Sequence, residues 1–230
     1  MKQNLDPRPQ SLSIAAKTLR VIVYLLFRFI LWFMRVDYKI TGTEIVPKKG
    51  PAIVVMADHT SLGDAIFLFL SICRSFAGIG MAELKNSDQW PAVIGWAFDK
   101  MGHIPIQRGD KESGDLVTAA GFNELNHGQA LAVCPQGRQV HPGEQTPWYP
   151  GFAKFAMATG TKVYVLKIEG VDKFWVTHPD FDVPKGLGQI NWRAKIRAAY
   201  VAVVDPADYT SVDDYVAAVI RAHATGHVAN

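Results

Sequence analysis

Residues 51–70 read PAIVVMADHTSLGDAIFLFL, and in this stretch two apolar runs flank a short polar segment. The first run, residues 51–56, has the length and the β-branched content of a buried strand. The second run follows Asp64 and has the length of a helix. His59 and Asp64 stand five positions apart in the segment that joins them. The stretch therefore predicts a strand followed by a helix, with ionisable side chains at the helix start.

Strand-like and helix-like segments alternate through the rest of the chain. The patterns predict further strands at residues 36–42, 103–108, 130–137, 162–170 and 193–204, and helices at residues 64–76, 88–102, 113–128 and 211–224. Pro105 indicates an edge strand, and Ser113 is a candidate helix cap. We therefore predict an α/β fold, a single domain with a central, largely buried mixed sheet flanked by helices.

The segment IAAKTLRVIVYLLFRFILWFMR, residues 14–35, contains four basic residues and no acidic one. Its uncharged runs are shorter than the roughly 20 apolar residues that a membrane span requires. At about 100° per residue, the basic side chains share one face and large apolar side chains occupy the other. This pattern predicts a helix in a membrane interface, with its basic residues directed toward anionic headgroups. The basic residues are Lys17, Arg20, Arg28 and Arg35.

Two other interpretations of this segment are weaker. A signal peptide needs an unbroken apolar stretch and a small-residue cleavage site, and the segment has neither. A buried helix of the domain is disfavoured because nearly every non-basic position is bulky and apolar. We therefore predict a basic amphipathic membrane-binding helix within residues 1–35 and a globular domain over residues 36–230.

Composition excludes several classes of protein. The 230 residues are 49% hydrophobic and 20% charged, which is typical of a globular chain, and the formal net charge of +3 is too small to indicate a nucleic-acid partner. The two cysteines, Cys73 and Cys134, have no CxxC or metal-ligand spacing. They predict no disulfide framework and no metal site, and they favour a reducing, cytosolic environment.

The pair formed by His59 and Asp64 has two compatible interpretations. Residues 61–64, SLGD, match a capping box, in which Ser61 and Asp64 satisfy backbone donors at a helix start. A carboxylate one turn into the helix could also hold imidazole Nδ1, which would fix the tautomer and make Nε2 a base. Histidine, with an ordinary pKa of about 6.5, suits proton abstraction near neutral pH.

Four blocks of the chain, taken in order, resemble the glycerophospholipid acyltransferase family, typified by 1-acylglycerol-3-phosphate acyltransferases. They are the HxxxxD motif at 59–64, a glycine-to-arginine strand block at 102–108, the turn CPQGR at 134–138, and the apolar strand at 163–170. The resemblance covers roughly residues 36–204. It implies that residues 36–230 form an acyltransferase domain.

The resemblance implies a chemistry that needs no cofactor. His59 would take the proton of an acceptor hydroxyl while Asp64 holds the ring, and the oxygen would attack the thioester of acyl-CoA or acyl-carrier protein. Arg108 would bind the phosphate of a lysophospholipid, by default 1-acylglycerol-3-phosphate. Lys85 is a second candidate for this phosphate, and a solvated surface lysine is the alternative interpretation. The turn residues would contact acceptor or oxyanion through backbone and side-chain donors. These turn residues are Gln136, Gly137 and Arg138. The implied partners are a lysophospholipid, an acyl donor and the cytoplasmic face of a membrane.

The third block departs from the family pattern and leaves other functions open. The family's usual Phe and Glu are Cys134 and Gln136 here, and its Thr is replaced or displaced by Arg138. A non-catalytic lipid-binding protein on the same scaffold is one alternative, and an acyl thioesterase or esterase is another. The chain lacks the GxSxG elbow of a serine esterase. Cys134 could act as a nucleophile, but its setting favours a small apolar residue at a strand end.

Overall fold

The computed structural model describes residues 13–81, 92–107, 109–176 and 189–228. The helices are α1 Ile14–Phe33, α2 Asp64–Ser71, α3 Ala92–Lys100, α4 Lys111–Asn126, α5 Gly151–Thr159, α6 Val171–Phe174 and α7 Val212–Thr225. The strands are β1 Asp37–Thr41, β2 Ala52–Met56, β3 Phe76–Met81, β4 Ile104–Ile106, β5 Ala130–Val133, β6 Val163–Glu169, β7 Trp175–Val176, β8 Gln189–Ile190 and β9 Lys195–Val204. Lys85 and Arg108 lie outside the described residues.

The main sheet is mixed, as the sequence predicts. Within the described residues its strand order is β1-β9-β6-β2-β5-β3-β4. The strands from β6 to β4 in this order run parallel, whereas β9 pairs antiparallel with β6 and parallel with β1. β4, which contains Pro105, lies at an edge, where a residue without an N–H donor is tolerated.

Strand β2 lies in the middle of the sheet, and all five of its residues are buried. Val54 and Met56 pack into the core under α1 and α2, while Ile53 and Val55 pack into the core under α4, α5 and α7. Since successive side chains of a strand point to opposite faces, β2 contributes to both cores. Burial on both faces explains why its sequence is a continuous apolar run instead of an alternating one.

Two predicted helix boundaries are wrong. The helix that the sequence predicts to reach residue 76 ends at Ser71, and Phe76 begins β3 instead. Between them, the Arg74 guanidinium donates hydrogen bonds to three backbone carbonyls, which fixes the chain in a loop. Helix α4 begins at residue 111 and is capped by Asp110, whereas the Ser113 hydroxyl accepts the N–H of Gln107.

Helix α1 lies against the domain through α2 and α3. Ala16, Arg20 and Leu31 are buried on its inner face. The Arg20 guanidinium donates to the carbonyls of Phe76 and Met101, and its side chain lies over the Phe76 ring. Burial lowers the pKa of Arg20 to about 10, so the group stays charged at neutral pH. The prediction that Arg20 faces headgroups is therefore wrong, because this residue attaches the helix to the sheet.

The outer face of α1 is apolar and exposed. Lys17 and Arg28 are also exposed, at the border between the outer and inner faces, and the exposed Arg35 follows the end of the helix. No helix within the described ranges is both long and apolar enough to cross a bilayer. The exposed apolar residues of α1 are Ile14, Val21, Ile22, Leu25, Leu26, Phe29, Ile30, Trp32 and Phe33.

Gly170 connects β6 to α6 in a conformation that only glycine tolerates. Its φ is +85°, and a Cβ atom there would lie 2.1 Å from the Lys195 carbonyl oxygen. We expect Gly170→Ala to lower the free energy of unfolding by about 3 kcal/mol or more, because the clash adds to the backbone strain. Chemical denaturation measures this loss.

Gly160, which follows α5, provides the matched control. Its φ is +65°, but a Cβ atom there meets no heavy atom within 4 Å. Gly160→Ala is expected to cost only the strain of a left-handed residue, about 1–2 kcal/mol. Equal losses in the two variants would contradict a steric role for the Lys195 carbonyl.

Candidate active site

The candidate site lies where β2 and β5 end. These strands are parallel neighbours, so the loops that follow them meet at the same edge of the sheet. The loop after β2 carries His59, and the loop after β5 carries Gln136, Gly137 and Arg138. The Val140 N–H donates to the His59 carbonyl at 2.8 Å, which joins the two loops through the backbone. The first and third sequence blocks are therefore adjacent in space.

His59 and Asp64 form a hydrogen-bonded pair. The imidazole Nδ1 lies 3.1 Å from Asp64 Oδ2. The same carboxylate oxygen accepts the Ser61 N–H at 2.9 Å, so Asp64 is fixed from two directions. Asp64 is buried with 2% of its side chain exposed, whereas 21% of the His59 side chain is exposed. A carboxylate on Nδ1 holds the proton there, which leaves the Nε2 lone pair available as a base.

The capping-box prediction is only half right. Asp64 is the first residue of α2, and its carboxylate accepts the Ser61 N–H as a capping box requires. The Ser61 hydroxyl makes other contacts, because it accepts the Gly63 N–H and donates to the Trp175 carbonyl. The Asp64 carboxylate thus satisfies a loop N–H and orients the imidazole at once.

Asp58, directly before the histidine, adopts a left-handed conformation with φ of +55°. The Gln136 side chain holds it there. Gln136 Oε1 accepts the Asp58 N–H at 2.8 Å, and Gln136 Nε2 donates to Asp58 Oδ1 at 3.3 Å. Only 3% of Gln136 is exposed, and its amide is engaged with Asp58. Gln136 therefore supports the loop that carries His59, and the contact with an acceptor that the resemblance implies stays a prediction.

The contact with Asp58 gives a physical reason for glutamine at this position. A glutamate would accept the Asp58 N–H equally well, but its second oxygen would face the Asp58 carboxylate instead of donating to it. We expect Gln136→Glu to lower kcat/KM by about tenfold or more, since the loop that positions His59 would hold two opposing carboxylates.

The double variant Asp58→Asn with Gln136→Glu tests this explanation. In the parent, the amide at position 136 donates to the carboxylate at position 58. In the double variant the amide is at position 58 and the carboxylate at position 136, so this hydrogen bond can form again and activity should recover to within a few-fold of the parent. In Asp58→Asn alone, both side chains are amides, and each amide can donate to or accept from the other. This variant should therefore have only a small effect on activity. Initial catalytic rates of all three variants test the pairing, and failure of the double variant to recover would contradict it.

The rest of the turn after β5 is held by its own contacts. Gly137 has a φ of +65°, and its N–H donates to the Cys134 carbonyl at 3.0 Å. This N–H is thus engaged within the turn, and the implied contact of the turn with acceptor or oxyanion stays a prediction for its other donors. The Arg138 guanidinium forms an ion pair with Glu144 and lowers the pKa of that carboxyl to about 2. Arg138 is therefore held toward the loop that contains Glu144.

Cys134 is not an activated thiol. Burial, with a smaller contribution from the negative charge of Asp64, raises the pKa of its thiol to about 12. A nucleophilic cysteine needs the opposite shift. The thiol is neutral at physiological pH, which supports the interpretation of Cys134 as a small residue at a strand end.

The structure adds a residue that sequence reasoning missed. His223, near the end of α7, is buried, and its Nε2 lies 3.7 Å from Asp58 Oδ2. Its ring also contacts Trp148, with centroids 5.7 Å apart. Burial lowers the pKa of His223, and the Asp58 charge opposes this shift. No local pattern signals the contact, because it depends on how α7 packs over the sheet.

Comparisons with known proteins identify the family of this chain. The family model described as Acyltransferase matches residues 37–169, more than half of the chain. The chain belongs to the acyltransferase family. The match includes the His59–Asp64 pair and the whole turn after β5. It ends with the last residue of β6, so it spans the parallel part of the sheet in which the site lies.

Curated relatives of this acyltransferase-family chain share limited identity with it. A 1-acyl-sn-glycerol-3-phosphate acyltransferase of Borreliella burgdorferi is 20% identical over 66% of this chain and 59% of its own length. A chloroplastic enzyme of the same description from Brassica napus is 28% identical over 60% of this chain and 39% of its own length. The chain therefore spans less than two thirds of the length of these relatives.

A solved structure shares the fold. The 1-acyl-sn-glycerophosphate acyltransferase of Thermotoga maritima superposes with a TM-score of 0.69, over 90% of this chain and 78% of that one, at 21% identity. The predicted α/β architecture, with its mixed sheet and N-terminal helix, is thereby confirmed.

Proposed function

We propose that this chain transfers a fatty acyl group from a thioester donor, acyl-CoA or acyl-carrier protein, to the hydroxyl of a lysophospholipid. The observation that carries the proposal is the hydrogen bond between His59 Nδ1 and Asp64 Oδ2, together with the partial exposure of the His59 imidazole. The acceptor named by the curated relatives is a 1-acyl-sn-glycerol-3-phosphate, and we take this lipid as the first candidate.

The proposed reaction needs one base and no covalent enzyme intermediate. His59 Nε2 takes the proton of the acceptor hydroxyl as its oxygen attacks the thioester carbonyl. The C–S bond then breaks, an ester forms, and the thiolate leaves with the proton from the imidazolium. Asp64 stabilises the positive charge that His59 carries between these events. Arg108 is proposed to bind the acceptor phosphate, as the family resemblance implies, and Lys85 is a second candidate for the same phosphate.

We propose that the chain binds the membrane peripherally through α1. Its outer face exposes nine large apolar side chains beside three exposed basic ones, a combination suited to a bilayer interface. Both the acceptor and the product of the proposed reaction are lipids. A site attached to an interfacial helix would therefore meet its acceptor where that acceptor is concentrated.

The test is incubation of the purified full chain with acyl-CoA and one lysolipid at a time, with thiol release and product mass as readouts. We expect phosphatidic acid when the acceptor is 1-acylglycerol-3-phosphate. Transfer to another lysolipid alone would change the acceptor but keep the reaction. Free fatty acid formed without an acceptor would identify a thioesterase, and no thioester consumption with any acceptor would favour a lipid-binding protein.

A further inference from the structure

A cavity of about 590 Å³ lies at the end of α1, apart from the residues of the candidate active site. The residues that line it are Arg28, Phe29, Trp32, Arg35, Val36 and Tyr38. We call it the α1 groove. It combines two guanidinium groups with aromatic walls, and none of its lining residues is acidic.

The two arginines of the groove lie near the end of α1. Arg28 and Trp32 are one turn apart on the helix, Arg35 follows the helix end, and all three line the groove. The Arg28 guanidinium lies near Tyr24, with Nη1 3.4 Å from the hydroxyl. Asp37 lies next to the groove in sequence, but its carboxylate is paired with Arg197 at 2.9 Å. The positive charge of the groove is therefore not neutralised by Asp37.

Arg35 occupies a position where glycine is the favoured residue. Its φ is +55°, and it follows the end of α1 in a Schellman motif. The Val36 N–H donates to the Leu31 carbonyl and the Arg35 N–H to the Trp32 carbonyl. A long cationic side chain here strains the backbone where glycine would not. Such strain at a residue that lines a cavity motivates the hypothesis that its guanidinium has a function.

The groove opens onto the exposed apolar face of α1. Phe29 lies against Trp32 and Phe33, with ring centroids 5.9 and 6.1 Å apart, and all three are exposed. A ligand that contacts both the arginines and this aromatic ridge must carry an anionic group next to long apolar chains. A soluble phosphate compound has the first feature only.

We propose that the α1 groove binds the phosphate of an anionic glycerophospholipid of the bilayer, with the acyl chains along the exposed face of α1. Arg28 and Arg35 hold the phosphate oxygens through their planar N–H forks. Trp32 and Tyr38 form the walls at the level of the headgroup. This lipid is neither acceptor nor donor, so the proposal goes beyond the proposed reaction, and it rests on the proposed binding of the membrane through α1.

The test compares binding of the full chain to vesicles of phosphatidylcholine alone and to vesicles that also contain phosphatidylglycerol. We expect Arg28→Gln with Arg35→Gly to weaken binding to the anionic vesicles by about tenfold or more and to leave binding to phosphatidylcholine within about twofold. Arg35→Gly removes the strained residue, so the variant should fold at least as well as the parent. His59→Ala should bind like the parent, which separates this result from any failure of catalysis.

Lys17→Gln is the matched control, because it removes an exposed positive charge from the same helix outside the groove. It should weaken anionic-vesicle binding less than either Arg28→Gln or Arg35→Gly. Equal losses would mean diffuse attraction and would overturn the site. Competition by inorganic phosphate or glycerol 3-phosphate would identify a site for soluble phosphate instead. Self-association that vesicles do not reverse would assign the face to a second copy of the chain.

Discussion

Replacing His59 with alanine is expected to lower kcat/KM for acyl transfer by about 10²–10⁴-fold, the usual contribution of a positioned general base. The fold should persist, because the imidazole is partly exposed and the Asp64 carboxylate that it contacts also accepts the Ser61 N–H. Initial rates of thiol release with saturating acceptor, together with circular dichroism, measure both expectations. Substantial remaining activity in a folded variant would contradict the proposed mechanism.

His127 provides the matched control for this substitution. It is an exposed histidine just after α4, and its Nδ1 contacts the Asn123 carbonyl within the same helix end. His127→Ala removes the same side chain away from the candidate site, so we expect activity within about twofold of the parent. A comparable loss in this variant would indicate a general effect of removing a histidine and not general-base catalysis.

Replacing Asp64 with asparagine is expected to lower kcat/KM by about 10²-fold or more. If the amide oxygen takes the place of Oδ2, both hydrogen bonds survive, but the imidazolium loses the negative charge that stabilises it. If the amide nitrogen faces the ring, it donates to Nδ1 and moves the ring proton to Nε2, which removes the base. Rates at several pH values check this, since neither defect is repaired by raising the pH.

The combined variant His59→Ala with Asp64→Asn separates catalysis from stability. Residues that act as one unit give strongly non-additive losses, so the double variant should be hardly slower than His59→Ala alone. If Asp64 served only as a helix-start residue, its loss would instead multiply with that of His59. Thermal unfolding of all three variants shows whether any loss arises from a change in stability.

The sequence predicts those features that depend on short stretches of chain. β2 follows from its apolar run, and the contact between His59 and Asp64 follows from their placement at the start of α2. Local sequence patterns do not predict structure that depends on contacts with segments far away in the sequence. Arg74 donates to three backbone carbonyls outside the predicted helix, and the helix ends at Ser71. The periodicity of residues 64–76 does not predict this end.

The predicted role of Gln136 depended on its position in the third block, and its neighbour was not foreseeable from there. The amide contacts the backbone and side chain of Asp58, which precedes it by 78 positions in the sequence. Arg20 is a similar case. Its spacing groups it with Lys17, Arg28 and Arg35, yet only the packed structure offers it the carbonyls of Phe76 and Met101.

The attachment of α1 by Arg20 has a mechanical consequence. The guanidinium connects the helix to β3 and to the residue after α3, so we expect α1 and the sheet to move together as a rigid unit. For a chain that rests on lipid through α1, the bilayer would therefore set the tilt of the entire domain. The depth of the imidazole above the lipid surface would then be fixed by protein geometry, and every docked molecule would present its catalytic edge at the same height.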